Sequence, residues 1–304
     1  MQYQEAKAAF FGPAPEGTAT PAVVTAGRAA RRLRDALEPV AMHPVWGPLA
    51  HERLAARGMD FFDAYVWGRA FVMGEPTGAV VASAFAAFEP GLIAGIYDRA
   101  RTLMSRDDIH RFTFEAAAES LRSTLGEDQI DPVSSVGGRL ADVVDQLDPT
   151  GRPLFTGVAS LDWPDDPYGK LYQACLALRE HRGDGHVAAY IGAGFGPVEM
   201  NVLTELWLGY PLGEYSGTRA WPEEATAAAL ARLSDRGLLD GDVLTADGQA
   251  AREAIEKATD AMEQPVVDAL GGDLDAVAEQ LDTWGQTCID AETFPLDPRK
   301  RAAG

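Results

Sequence analysis

From Gly27 onward, apolar residues recur at helical spacing in segments punctuated by proline and glycine. In AARRLRDALEPV (29–40), Leu33 and Leu37 stand at i,i+4, arginines mark what would be the outer face, and Pro39 would close the helix. The same pattern predicts helices over about 48–58, 60–73, 76–88, 89–104, 106–125 and 132–147. Pro48, Pro76, Pro90 and Pro132 each fall where a first helical turn accepts proline. The turn-rich stretch DPTGRPLFTGVASLDWPDDP (148–167) reads as a link, and helices resume at 167–181, 184–194, 197–209 and 222–237. A short strand at Leu238–Leu239, an Asp240–Gly241 turn, a second strand at Val243–Leu244 and a helix capped by Thr245 or Asp247 follow. A last helix spans about 273–291.

The expected fold is mainly α: two helical halves with one small β-hairpin in the second. The expected division is an irregular N-terminal arm (1–27), an N-terminal helical domain (28–150), a C-terminal domain (151–295) and a frayed tail (296–304).

Composition narrows the function. The 304 residues carry 46% hydrophobic and 24% charged residues, as in an ordinary globular protein. A net charge of −20 opposes binding to the phosphate backbone of nucleic acid and to anionic membranes. No apolar run is long enough to span a bilayer, and the start MQYQEAKAAFFGPAPEG lacks the pattern of a signal peptide. Cys175 and Cys288, far apart and outside any CxxC, fit a cytoplasmic chain with two plain thiols. Arginine far outnumbers lysine, which occurs only at Lys7, Lys170, Lys257 and Lys300, a bias expected of a GC-rich genome.

Two of the five histidines fall in REHRGDGH (179–186). In a continuous helix, His181 and His186 at i,i+5 would point about 140° apart, which rules out a simple shared metal ion. One reading makes the stretch a turn: Gly183 stops one helix and Asp184 caps the next. The other makes it part of a pocket. There His181 or His186 is an acid/base or hydrogen-bonding group, Arg182 receives an anion, and Asp184 lies beside them. His43, set among Met42, Val45 and Trp46, is a third candidate acid/base, with a half-buried core histidine as the alternative. In DFFDAYVWGRAF (60–71), Phe61, Phe62 and Tyr65 fall near one stripe of core character. Tyr65, Trp67, Arg69 and the nearby Trp46 supply the polar and aromatic handles a ligand pocket needs. GAGFG (192–196) follows a helix and ends it; no P-loop, HExxH or GxSxG occurs, so neither a cofactor nor a metal is expected.

The segment ATAAALARLSDRGLLDGDVLTADGQAAREAIEKATD (225–260) resembles the recognition helix, wing and following helix of a winged-helix domain of the multiple-antibiotic-resistance regulator (MarR) type. It departs from the DNA-binding pattern at the wing, Asp240-Gly241-Asp242, which is short and acidic. The recognition helix would begin Pro222-Glu223-Glu224, with only Arg219, Arg232 and Arg236 as cations. Together with GRAFVMGEPTGAVVASAFAAFEPGLIA (68–94) and GRPLFTGVASLDWPDDPYGKLYQACLALREHRGDGHVAAYIGAGFG (151–196), it makes most of residues 28–295 similar to an actinobacterial winged-helix family without a settled activity. The resemblance implies an architecture and leaves the task open.

The leading expectation is a protein that binds a small organic ligand, such as a secondary metabolite, between its helical halves. Two rivals are a ligand-responsive MarR-like regulator and a cofactor-free enzyme using histidine acid/base chemistry for elimination, cyclisation or hydrolysis. A second copy of the chain or another protein stays open as a partner.

Overall fold

The computed structural model describes residues 1–18, 20–21 and 27–303. These form helices joined by short connections, with one antiparallel hairpin in which Leu239 pairs with Leu244 and Asp240 with Val243. Gly241 turns it at φ +62°, and Thr245 caps the next helix, Ala246–Met262, by accepting from Gly248 N at 3.0 Å. None of the described helices is long and apolar enough to cross a membrane.

The organising element is the helix Pro167–Gly192, about 39 Å long at 1.5 Å per residue. Its first half carries Leu171, Tyr172, Cys175 and Leu178 into the larger core, against Ala29–Ala41, Arg106–Leu125, Ile130–Val144 and Pro153–Ala159. Its far end carries Ala189 and Tyr190 into a second, smaller core with Val202, Leu203, Leu233, Leu239 and Ile255, around the hairpin. The charged stretch REHRGDGH lies between the two. Residues Val266 to Phe294 return to the larger core, so the cores do not divide at residue 150 as the sequence pattern predicts: the joint falls within the Pro167–Gly192 helix.

That helix runs straight through Gly183 and Gly185, where a stop and a new cap at Asp184 were expected. Two helical glycines cost roughly 1–2 kcal/mol together relative to alanine. Tertiary contacts outweigh this. Asp184 does cap a helix, but a different one: its Oδ2 accepts from Leu154 N and Phe155 N, both at 3.0 Å, in the first turn of Pro153–Ala159. Hydrogen bonds to a charged acceptor contribute about 1.5–3 kcal/mol each. Gly185 lets Arg152 reach the helix backbone, since a Cβ there would stand 2.8 Å from Arg152 Nη1, which donates to His181 O.

Three further expectations change. The helix Ala29–Ala41 continues past Pro39; the proline leaves Asp35 O without its helical donor, and Arg301 Nε donates to it instead. The N-terminal arm contains the helix Tyr3–Phe10, held by Tyr3 Oη donating to Trp46 O at 2.6 Å and by stacking on His51; residues 19 and 22–26 of the arm lie outside the described residues. The tail forms the helix Pro298–Ala303 and does not fray. Arg299 pairs with Asp297 at 2.8 Å, and Arg31 and Arg34 donate to Ala302 O and Arg301 O.

Candidate functional site

A cavity of about 160 Å³ opens where the Pro167–Gly192 helix passes from one core to the other. Written on an unbroken helix, residues 179, 182, 183, 186 and 190 share one face, and Arg179, Arg182, Gly183, His186 and Tyr190 all border this space. The larger core contributes Arg31 and Arg34 from Ala29–Ala41, Tyr65 and Arg69 from Phe61–Ala70, and the connection Ala86–Phe88. The smaller core contributes Asn201 and Thr204 from Pro197–Trp207 and Arg252 from Ala246–Met262. Ala86 sits at φ +51°, a conformation costly for a residue with a Cβ. It is held by Asn201 Nδ2 and Trp221 Nε1, which donate to Ala87 O at 2.8 and 2.9 Å. Tyr215 and Arg219 complete the wall. Their loop is gathered by buried Glu205, which accepts from the backbone N–H groups of Gly213, Tyr215 and Ser216.

Seven guanidinium groups therefore border one space: Arg31, Arg34, Arg69, Arg179, Arg182, Arg219 and Arg252. Among the described residues, five carboxylates pair with them. Glu180 takes Arg69 in a two-pronged contact, both distances 2.7 Å, and also Arg179 at 3.1 Å. Glu38 accepts from Arg179 at 3.1 Å, and Asp35 pairs with Arg31 and Arg34. Glu256, with no exposed surface, meets Arg31 at 3.1 Å, Arg252 at 2.9 Å and Arg182. Asp260 lies 3.3 Å from Arg182. Arg219 has no carboxylate among the described residues and lies over the rings of Phe88 and Tyr215, 4.7 and 4.3 Å from their centroids. Arg34, Arg182 and Arg252, each at least 95% buried, each keep one N–H group without an acceptor. For Arg34 that group is Nη2, which stands 3.2 Å from Glu38 but out of line for a hydrogen bond.

The imbalance shows in the titrating groups. Burial pulls the guanidiniums of Arg34 and Arg252 down, against the carboxylates beside them. Burial alone would raise Glu256, but Arg182, Arg31 and Arg252 outweigh it and hold the carboxyl well below its usual range. Burial lifts Asp184, a carboxylate on the cavity wall, to about 6, against the Phe155 N–H bond that lowers it. His186 is pushed down to about 3 by burial and then by Arg252 and Arg182, so it is neutral at pH 7. Thr259 Oγ1 donates its one proton to Ile255 O at 2.9 Å and so accepts from His186 Nδ1 at 3.0 Å. That assigns the proton to Nδ1 and leaves Nε2 as a hydrogen-bond acceptor.

Of the residues singled out by sequence, Tyr65, Arg69, Arg182, Asp184 and His186 come together here. Trp46 borders an adjoining chamber, described below. The other three do not join them. His181 points away, its Nδ1 2.7 Å from Glu263 and its ring edge-on to Phe155. Trp67 is core, with Nε1 donating to Met104 O at 3.0 Å. His43 has no exposed surface; its Nε2 lies 2.8 Å from Ser120 Oγ and its Nδ1 3.7 Å from Cys288 Sγ. This hydroxyl–imidazole–thiol chain looks like a nucleophile set, but burial lowers the imidazole to about 4 and raises the thiol to about 12. Both stay neutral and unreactive.

Sequence reading missed Arg31, Arg34, Arg179, Arg219 and Arg252. A signal existed: Arg31–Asp35, Arg34–Glu38 and Arg252–Glu256 are i,i+4 pairs, usually read as a solvated face and here buried.

With this geometry in hand, the comparison with protein families is informative: the sequence matches a helix-turn-helix family over residues 30–295. The chain belongs to that helix-turn-helix family. No curated protein and no solved structure matches it. The helix-turn-helix match spans both cores and takes in all seven arginines of the cavity, while Ala302 and Ala303 of its lining lie beyond the matched residues.

Proposed function

We propose that this helix-turn-helix protein binds a small organic anion in the arginine-walled cavity. One observation carries the reading: seven guanidinium groups converge on about 160 Å³ in a chain of net charge −20, and among the described residues five carboxylates pair with them. Desolvated cations are expensive unless paired, and a ligand carboxylate or phosphate supplies acceptors for the N–H groups left over. His186 Nε2 adds an acceptor for a ligand hydroxyl or amine. The test is calorimetric titration of the protein with phosphate, sulfate, acetate and benzoate, repeated on Arg219→Gln. Losing one charge-assisted contact worth about 1.5–3 kcal/mol weakens binding roughly ten- to hundredfold. Failure of every anion to bind at millimolar concentration ends the proposal.

The finer architectural reading is a MarR-like winged helix that has lost DNA-binding features. Helix Glu223–Asp235, the Leu239–Leu244 hairpin and helix Ala246–Met262 follow in the order such a module requires. The chemistry for DNA is weak. Glu223 and Glu224 occupy the first turn of the helix before the hairpin, Asp240 and Asp242 flank its turn, Arg232 is paired with Glu199 at 2.8 Å and Arg236 lies over Phe195. Sequestration or sensing of a metabolite suits these features.

A second reading, a ligand-responsive transcriptional regulator, is favoured by the helix-turn-helix family itself. The helix that follows the hairpin, Ala246–Met262, also walls the cavity through Arg252, which gives a ligand a route to shift it. Binding of promoter or random duplex DNA at low salt, with affinity falling as salt rises, would favour this reading over sequestration. The histidine acid/base reading has lost its carriers: His43 and His181 lie away from the cavity, and His186 at about 3 is too weak a base near neutral pH.

A further inference from the structure

A second chamber of about 120 Å³ adjoins the arginine cavity, and Tyr65, Phe88, Arg179, Tyr215 and Arg219 border both. These five and Ala303 make the two spaces neighbours, with Arg219 at the junction over Phe88 and Tyr215. The chemistry changes sharply across that junction. On the far side the lining is mainly apolar, with Phe10, Met42, Trp46, Phe61, Phe62 and Phe294 beside the polar groups of Glu38 and Thr218. The rings are packed among themselves, with Trp46 5.5 Å from Phe10 and 6.0 Å from Phe61, so the chamber is preformed. The one cation there away from the junction, Lys300, faces the rings of Phe10 and Tyr210 and has no carboxylate partner among the described residues.

We infer that the ligand is an amphipathic anion: a single carboxylate or phosphate head held by the arginines, carried on a compact apolar body of about one ring that fills the aromatic chamber. The inference rests on the anion-binding reading and deepens it. Size sets the limit on the body, because a dry apolar cavity of about 150 Å³ takes one benzene, and the chamber here is about 120 Å³. A bare inorganic anion would leave that chamber unused, and a long acyl chain would not fit it. The flat guanidinium of Arg219 at the junction suits a planar group passing beside it.

The experiment is calorimetric titration of the full chain with acetate, benzoate, naphthoate, phenyl phosphate, benzyl alcohol and dodecanoate, with the same titrations on Val45→Phe and Phe62→Ala. Val45 and Phe62 are half-buried and border the chamber but not the arginine cavity. Benzoate and phenyl phosphate are expected to bind at least tenfold more tightly than acetate and benzyl alcohol, and dodecanoate no better than acetate. Val45→Phe fills the chamber and should remove the tenfold preference while leaving acetate binding unchanged; Phe62→Ala enlarges it and should shift the preference to naphthoate. Circular dichroism melts confirm that each variant is folded. If benzoate binds no better than acetate, the inference falls and the anion reading stands. Benzyl alcohol matching benzoate removes the anionic head, and dodecanoate exceeding benzoate removes the size limit. If no anion binds, both readings fall together.

Discussion

Glu256→Gln should weaken the fold and strengthen anion binding at once. Glu256 has no exposed surface, and its two oxygens serve Arg31, Arg182 and Arg252. Glutamine keeps the side chain's size and one acceptor, removes the charge, and turns an amide N–H₂ toward a guanidinium. Removing one partner of a buried ion pair costs about 3–5 kcal/mol. Against a total stability of about 5–15 kcal/mol this leaves a folded but weakened protein, with a melting temperature lower by roughly 5–15 °C. The cavity meanwhile gains one net positive charge. At an effective dielectric near 20 and a distance of about 6 Å, that favours a bound anion by about 1–3 kcal/mol, roughly five- to hundredfold in affinity. Urea denaturation at pH 7 reads the first effect and calorimetric titration with benzoate the second. Glu253→Gln is the control, because Glu253 pairs with Arg28 at the surface and its loss should change stability by no more than about 1 kcal/mol. The pH sign follows from the lowered carboxyl. Glu256 contributes stability above its unfolded value near 4.5 and loses it as pH falls toward its lower folded value. The stability difference between wild type and variant should therefore shrink in acid below about pH 4.5. Unchanged stability, or an anion affinity that falls with it, would refute the view of these arginines as a strained, under-compensated cluster.

Asp184→Ala should lower stability by about 2–4 kcal/mol in denaturant unfolding, since it strips the acceptor from two buried N–H groups of Leu154 and Phe155. Asp184→Asn, which keeps an acceptor oxygen, should lose less. It should also flatten the pH profile: a carboxyl raised to about 6 makes wild-type stability fall as pH rises from about 4 to 6, and Asn removes that slope. In proton–carbon NMR, His186 and His43 should show no titration between pH 5 and 8, because burial holds them near 3 and 4; a midpoint near 6.5 for His186 would mean that its ring faces solvent. Finally, a bound anion competes with the tail, whose Arg301 O and Ala302 O accept from Arg34 and Arg31. Saturating benzoate should speed tryptic cleavage after Lys300 or Arg301, and slower or equal cleavage would remove that coupling.

The helices and the hairpin were legible because period and punctuation are local: Pro48 and Pro90 open helices where they were placed, Asp166 caps the central helix, and Asp240–Gly241 turns the hairpin. What sequence could not show is how neighbours change the cost of a residue. Gly183 and Gly185 look like a stop only while the helix is considered alone; Arg152 lying against Gly185 and Asp184 capping Pro153–Ala159 make continuity the cheaper state. Breaking the helix there also scattered the face that Arg179, Arg182, His186 and Tyr190 share, so the site stayed hidden in plain spacing. Arg31 and Arg34 show the converse. On one helix they read as a solvated face, and only the carboxylate of Glu256 and the carbonyls of the tail, more than 200 residues away along the chain, make them a wall. Arg69 and Tyr65 were found because aromatic rings beside a cation are a local signal of a lined pocket. The arginine cluster is a non-local one, built from both cores at once. A cluster so assembled depends on how those cores sit together, and an anion placed among its guanidiniums acts on that arrangement directly.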